Sequence, residues 1–304
     1  MHSITVAHLD VFAAEPGGGN PCPIVADATG LSDRQLQAIA AHYQQETGFV
    51  LTGEDGRLRL RFFVPRHEMA MCVHATVAAT TVLVAAGTVT GSQLIASTAS
   101  GDCRISWTGG DRPAVTVEQQ APWLGPPVLA ATELGAALGL PASAIGQPIR
   151  PVSVSRPKLI VPLDRAGDLH RAVPDLPELW RLCRAYKCTG AYLFAPHPDG
   201  RPDHVVARQF PVDAGFAEDP ATGVAAGALA AYLADLAGHR EPGWLQVDID
   251  QGQAMGRPSR LRARALTDGA SVLRSMVSGQ AVLRATEQLA LADLPDIDEP
   301  GGLR

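Results

Sequence analysis

The sequence predicts an α+β fold of two structurally similar halves, and three observations predict it. The first is a near-repeat. Arg61-Phe62-Phe63 leads through Cys72-Val73-His74 into Val77-Ala78-Ala79, while Arg208-Gln209-Phe210 leads through Asp219-Pro220-Ala221 into Val224-Ala225-Ala226. Arg, Phe and Val-Ala-Ala recur 147 positions apart, residue 208 answering residue 61. The second is a run of short strands around one helix with no polar face, which fits a strongly curved antiparallel sheet that hides the helix on all sides. The third is size: 304 residues, 46% of them hydrophobic, are enough for two domains with separate cores. The plainer alternative is that two alanine-rich helices resemble each other by chance.

Taken in order, the alternation Ile4 to Phe12 reads as a first strand, and Pro21 to Val25 as a second after the loop Gly17-Gly18-Gly19-Asn20. Ser32 is an N-cap for a helix over Asp33 to Tyr43, with Leu36, Ile39 and Ala40 on one face. Strands follow at Gly48 to Thr52, Leu58 to Val64, Gln93 to Ser97, Cys103 to Trp107 and Val115 to Glu118, around an apolar helix over Thr76 to Ala86. Pro122, Pro126 and Pro127 mark the crossing into the second half. There the pattern predicts helices over Ala130 to Leu138, Leu176 to Tyr186 and Ala221 to Leu236, the last stopped by Gly238. Strands are expected near Ile149 to Val154, Lys158 to Val161, Ala191 to Ala195, Val205 to Phe210, Gly243 to Asp250 and Arg260 to Leu266. A strand over Val277 to Ala285 would return the chain to the first half. The expected domains are therefore 1–118 with 276–290, and 119–275, followed by a flexible tail over 291–304, which is acidic and rich in Pro and Gly.

Composition narrows the function. A formal charge of -6 without any acidic or basic block argues against nucleic acid or an anionic membrane as partner and leaves a small solute. The N-terminus lacks a basic region followed by an apolar one, and every apolar window is interrupted well before it could span a bilayer, so a cytoplasmic protein is expected. Five cysteines, odd in number and without a CxxC pair, indicate neither a disulfide framework nor a zinc site.

The two copies are unequal where chemistry is possible. Cys72 answers Asp219 and His74 answers Ala221, an asymmetry suited to acid-base work if the halves face one cleft. Glu46 stands in a polar triplet between a helix and an apolar strand, where desolvation would raise its pKa and make it a competent proton shuttle; the alternative is a solvated loop glutamate. His74 and Asp219 stand at the mouths of the two small-residue helices, whose unpaired N–H groups suit a carboxylate or a developing enolate. Asp219 could equally be an N-cap, and His74 a satisfied buried histidine. Cys72 beside a helix N-terminus should have a lowered pKa and could act as a base, or be a small buried residue.

Asp10-Val11-Phe12, Gly19-Asn20-Pro21, Glu46-Thr47-Gly48-Phe49-Val50, Phe63-Val64-Pro65, Cys72-Val73-His74-Ala75-Thr76, Glu218-Asp219-Pro220-Ala221-Thr222-Gly223 and Gln251-Gly252 with Met255-Gly256-Arg257-Pro258-Ser259 together resemble the phenazine-biosynthesis PhzF-like isomerase family over nearly the whole chain. The resemblance implies the diaminopimelate-epimerase-like fold: two pseudo-symmetric domains, each a curved antiparallel β-barrel around a central α-helix, with the site between them, as a homodimer. It also implies that Glu46 is the catalytic carboxylate, that His74 and Asp219 are its polar helpers, and that Asn20, Cys72, Val73, Gly223, Val224 and Gln251 meet the substrate. The implied chemistry needs no metal or organic cofactor, since the substrate's own carboxylate and double bonds delocalise the charge.

Two positions depart from the family pattern. Val73 stands where the family reads glycine in Cys-Gly-His, and Val224 where it reads serine in Thr-Gly-Ser. Two valines make the pocket tighter and more apolar, which points to a substrate with an alkyl part. The expected function is thus a cofactor-independent isomerase shifting a proton and double bond in a small unsaturated, cyclic amino carboxylic acid of a specialised-metabolite pathway, such as antibiotic biosynthesis of the alkylproline type. The alternatives are an amino-acid racemase or epimerase, and a binding protein that has kept the fold and lost turnover.

Overall fold

The computed structural model describes residues 3–53, 56–110, 112–237 and 242–295. The chain forms two compact units, Met1–Glu118 with Ser278–Arg304, and Gln119–Val277.

The first unit holds β1 (Ser3–Val11), β2 (Asn20–Val25), α1 (Asp33–Tyr43), β3 (Thr47–Thr52), β4 (Leu58–Val64), β5 (His67–Met69), α2 (Val73–Ala85), β6 (Gln93–Thr98), β7 (Gly101–Trp107) and β8 (Val115–Glu118). Antiparallel pairs β1–β2, β3–β4, β4–β5, β6–β7 and β7–β8 are joined by parallel steps at β2–β3 and β4–β6. Each parallel step is bridged by a helix, α1 in the first case and α2 in the second, because parallel neighbours need a long crossover. α2 packs against β1, β2, β3 and β8. A helix enclosed in this way has no face to give to water, hence its run of Val, Ala and Thr. The hydroxyls of Thr76, Thr80 and Thr81 donate to the carbonyls four residues earlier at 2.7, 2.8 and 2.8 Å, so the helix buries them satisfied.

α1 lies on the other side of the sheet. Its N-terminus carries the Ser32 cap with Gln35 completing a capping box, and Leu36, Ile39 and Ala40 enter a core with Val6, Val25, Phe49 and Phe63. Phe49 and Phe63 meet edge to face at 5.5 Å, a contact worth about 0.5–1.5 kcal/mol beyond burial.

The second unit holds β9 (Trp123–Leu124), α3 (Ala131–Leu138), β10 (Arg150–Ser153), β11 (Lys158–Pro162), α4 (Ala166–Arg171), α5 (Leu176–Ala185), β12 (Gly190–Pro196), β13 (His204–Pro211), α6 (Gly223–Leu236), β14 (Gly243–Gln251), β15 (Ser259–Thr267) and most of β16 (Val272–Gly279). Parallel steps occur at β11–β12, bridged by α4 and α5, and at β13–β14, bridged by α6. The pairs β9–β10, β10–β11, β12–β13 and β14–β15 are antiparallel. α6 packs on β10, β11, β14 and β15, and α3, α4 and α5 cover a separate core built on Leu134, Leu159, Leu179 and Leu193. α6 therefore stands to β13 and β14 as α2 stands to β4 and β6. The chain then returns to the first unit as β17 (Ala281–Ala290), antiparallel to β1.

The expected strand over Val277 to Ala285 is thus two strands, β16 and β17, parted at Gln280. The break has a local cause: the backbone N–H of Phe12, itself at positive φ, donates to Gln280 O at 2.8 Å and its ring sits where a side chain at Gly279 would lie. Of the expected tail, Leu291–Asp293 forms a 3-10 turn and Leu294 packs against the first unit's core; residues 296–304 lie outside the described residues, as does Gly238. β5, β9 and α4 are short elements that the sequence pattern did not signal. Among the described residues no helix is long and apolar enough to cross a membrane.

Candidate active site

In the first unit three elements bring Asn20, Glu46, Cys72 and His74 together. Asn20 opens β2 opposite Val11, after a turn in which Gly19 takes φ +82° because a Cβ there would stand 2.8 Å from Val11 O. Glu46 follows α1, whose C-cap Gln44 turns the chain in the left-handed region. Gly48 then lets β3 lie directly on the first turn of α2, since a Cβ there would be 2.7 Å from Ile24 Cδ1 and 3.2 Å from Ala75 Cβ. That close approach sets Glu46 against the N-terminus of α2.

α2 begins at Val73, three residues before the Thr76 expected from the pattern, because Thr76 returns both its N–H and its hydroxyl to Cys72 O, at 3.1 and 2.7 Å. His74 therefore lies inside the first turn, and Cys72 is the N-cap residue without a side-chain cap. Glu46 Oε2 lies 3.4 Å from Cys72 Sγ and 3.3 Å from His74 Nε2. Asn20 Nδ2 lies 3.5 Å from His74 Nδ1. With the Asn20 amide donating to Nδ1, the matching tautomer is the one whose proton sits on Nε2, aimed at Glu46. The histidine is buried, and the Glu46 side chain keeps 13% of its surface open.

The expected lowering of the Cys72 pKa is overturned. Burial pushes the thiol well above its usual range, and the adjacent Glu46 carboxylate and Cys22 push the same way, against one backbone N–H at Ala75. The helix N-terminus is outweighed because the thiol is fully enclosed and its nearest charge is negative.

In the second unit Asp219 is buried and joined to β13 by its own N–H, which donates to Gln209 O at 3.1 Å. It is not the N-cap of α6. The helix starts at Gly223 with Thr222 in the cap position, two residues later than expected, and the Thr222 hydroxyl donates to the Asp219 carboxylate. Gln251 is wholly buried and ties this loop together. Its Nε2 donates to Asp219 O at 2.7 Å and to Thr222 Oγ1 at 3.2 Å, while its Oε1 accepts from Thr222 N at 3.3 Å and Tyr192 OH at 3.0 Å. Gly252, at φ +85°, is obligatory, since a Cβ would stand 2.3 Å from Arg257 O and 2.7 Å from Pro220 O.

Of the residues singled out from the sequence, Asn20, Glu46, Cys72 and His74 form one cluster, with Val73 buried in the same turn. Asp219, Gly223 and Gln251 are gathered around the start of α6, where Val224 is buried. Thr222 and Tyr192 were missed. Thr222 stood inside a quoted motif and a hydroxyl three residues after a carboxylate could have flagged it; Tyr192 carries no local signal, its partner being 59 residues away.

The model of the PhzC-PhzF family, phenazine biosynthesis-like protein, matches residues 9–287. An uncharacterised isomerase of Deinococcus radiodurans is 34% identical over 291 residues, covering 91% of this chain and 92% of the relative. The trans-2,3-dihydro-3-hydroxyanthranilate isomerase of Pseudomonas aeruginosa is 33% identical, covering 92% and 96%. Among solved structures, a Bacillus anthracis phenazine biosynthesis protein of the PhzF family superposes with a TM-score of 0.86 at 26% identity, covering 95% of this chain and all of that one.

Proposed function

The chain belongs to the PhzC-PhzF family of phenazine biosynthesis-like proteins and is an isomerase with the diaminopimelate-epimerase-like fold; from that premise we propose that it moves a proton and a double bond within a small unsaturated carboxylic acid, with Glu46 as the single shuttle. Ionised Glu46 takes a proton from one carbon of the substrate. The electron pair of the broken C–H bond spreads through the substrate's double bonds into its carboxylate, and Glu46 returns the proton to a carbon farther along. His74 and Cys72 donate to the same carboxylate oxygen and hold it in one orientation, and the positive end of the α2 dipole favours the anionic intermediate. Asp219, oriented by Thr222, is the corresponding polar helper in the second unit, and Gln251 serves it by fixing the loop.

The observation that carries this reading is the state of Cys72. A thiol held protonated beside Glu46 is a poor base, so the carboxylate is the group in this cluster fitted to exchange a proton with carbon. The same observation disfavours a two-thiol racemase, as does Asp219 at the repeat position that matches Cys72.

The substrate class follows from two lines. The Pseudomonas relative is named for a cyclic unsaturated amino acid, and Val73 and Val224 place alkyl groups where the family pattern has glycine and serine. We assign this chain a cyclic unsaturated amino acid with an alkyl part, handled by a cytoplasmic homodimer in a specialised-metabolite pathway. Proton NMR in D2O of such acids, and of trans-2,3-dihydro-3-hydroxyanthranilate, tests it with wild type and Glu46→Gln side by side. A double-bond shift with deuterium uptake that the variant loses is expected. Equal shifts in both proteins would remove Glu46 from its role, and inversion at an α-carbon abolished by Cys72→Ala would establish the racemase instead.

A further inference from the structure

α5 ends in a turn that sets two cysteines against each other. Cys188 N donates to Cys183 O at 2.8 Å and Lys187 N to Arg184 O at 3.0 Å, with Lys187 in the left-handed region at φ +55°. These are the paired bonds of a Schellman cap, which brings the third residue before the C-cap against the second residue after it. With Tyr186 as the C-cap, those residues are Cys183 and Cys188. Covalent geometry adds a bound: the 2.8 Å bond leaves the two Cα atoms no more than roughly 6.7 Å apart, inside the span of about 4.4–6.8 Å that a disulfide bridges. Both side chains enter the same apolar core. We propose that Cys183 and Cys188 are a modification site, a thiol pair that a hydroperoxide closes reversibly into a disulfide across the end of α5.

The reaction balances as two thiols and one hydrogen peroxide giving one disulfide and two waters; the sulfurs are oxidised and the peroxide oxygens reduced. Cys188 is 5% exposed and Cys183 not at all, so Cys188 meets the oxidant. Its thiolate takes one oxygen as the O–O bond breaks and hydroxide leaves, giving a sulfenic acid. Cys183 sulfur then attacks the Cys188 sulfur and the hydroxyl departs as water. Before that, Cys188 gives up only a weak bond, from its S–H to Tyr186 O at 3.5 Å. The oxidant enters where a helix opens most readily, at its last turn.

Lys158, buried at the first position of β11, supplies a charge of the right sign. Thr189, next to Cys188, ties that strand to the turn by donating its N–H to Pro157 O at 2.8 Å. Burial pushes both thiols up to about 12, and Cys188 raises Cys183 further, while Lys158 draws both down towards the thiolate that disulfide chemistry uses. Closure should therefore be slow near pH 7 and quicken as pH rises.

The proposal does not depend on Glu46 as shuttle. Its test is peptide mapping of the reduced, full-length protein after exposure to hydrogen peroxide at pH 7, 8 and 9, quenched with iodoacetamide and digested with trypsin without reductant. Trypsin cleaves after Arg184 and Lys187, so only a disulfide keeps residues 182–184 attached to the peptide that begins at Cys188. That linked pair is expected to form, to part on adding dithiothreitol, and to form about tenfold faster per pH unit as the thiolate fraction rises. Oxidised wild type should also melt higher than the reduced protein, because the closed loop constrains the unfolded chain. Cys183→Ala and Cys188→Ser, shown to be folded by circular dichroism, should give neither the linked pair nor the higher melting temperature. Met255, 38% exposed, reports that the oxidant has acted. A sulfoxide at Met255 without the linked pair would overturn the site. So would a link from Cys183 or Cys188 to any other cysteine, or a linked pair that forms only once urea has unfolded the chain.

Discussion

Cys72 Sγ stands 3.4 Å from Glu46 Oε2, and the two groups divide the chemistry of the cluster between a held proton and a moving one. Truncating the thiol removes one donor to Glu46 and leaves the carboxylate in place. Cys72→Ala should therefore keep turnover within about tenfold, whereas Glu46→Gln should lower it about 10²–10⁴-fold, the usual contribution of a positioned acid-base group. Because its pKa is raised, Cys72 should also alkylate far more slowly than a free thiol near pH 7, read by mass spectrometry after timed exposure to iodoacetamide. Rapid labelling of Cys72 in the native protein would contradict the protonated thiol on which the single-carboxylate reading depends.

Burial pushes the thiols of Cys103, Cys183 and Cys188 up to about 12, desolvation being the leading cause in each. A raised folded-state pKa means that the fold favours the protonated thiol. The stability so contributed is fully present below the unfolded value of about 8.5 and is lost as pH rises towards 12. The protein should therefore unfold at lower urea near pH 10 than near pH 7, and Cys183→Ala should flatten that dependence. Parallel pH curves for variant and wild type would show that Cys183 contributes nothing to it.

The half-to-half repeat was legible because it rests on local signals: Arg–Phe strand ends and alanine-rich helices leave a mark in composition and period. Strand and helix positions followed for the same reason, down to Ser32 as a cap. What escaped depends on contacts distant in sequence. Nothing near Cys72 announces that Glu46, 26 residues earlier, will sit beside it and hold the thiol protonated. Helix starts at Val73 and Gly223 were misplaced because each is decided by a loop bond, Thr76 to Cys72 in one case and Thr222 to Asp219 in the other. The role of Gln251 as a strut, with Tyr192 behind it, was equally invisible.

Arg208 makes in the second unit the contacts that Arg61 makes in the first. Arg61 forms a two-pronged pair with Glu68 and lies over Phe63 at 5.1 Å; Arg208 pairs with Glu218 at 2.9 and 2.7 Å and lies over Phe210 at 4.9 Å. Arg208 also donates to the carbonyls of Leu169 and Ala172, tying β13 to the end of α4. Removing the charge of Glu218 leaves a nearly buried guanidinium without its counterion, so Glu218→Gln should cost about 3–5 kcal/mol in urea denaturation. Asp102→Asn, which breaks an exposed pair with Arg57, should cost no more than about 1 kcal/mol. Similar losses in the two variants would mean that solvent reaches the Arg208 pair.

Gln209 is a buried polar residue in the repeated strand where the first half has Phe62. The glutamine is wholly buried, and among the described residues neither its Oε1 nor its Nε2 has a hydrogen-bond partner. It lies against Gly190, where an added Cβ would come within 2.4 Å of the amide nitrogen, so the side chain fills space that a larger neighbour would need. An unsatisfied amide in an apolar setting costs about 1–3 kcal/mol. Methionine has nearly the same length and no polar head, so Gln209→Met should stabilise the protein by about that amount, with an unchanged denaturant slope. Turnover should be retained, since Asp219 is held through the Gln209 backbone carbonyl, which the substitution leaves alone. A destabilised variant would reveal an ordered water satisfying the amide, and a stable variant without turnover would show that the amide itself meets the substrate.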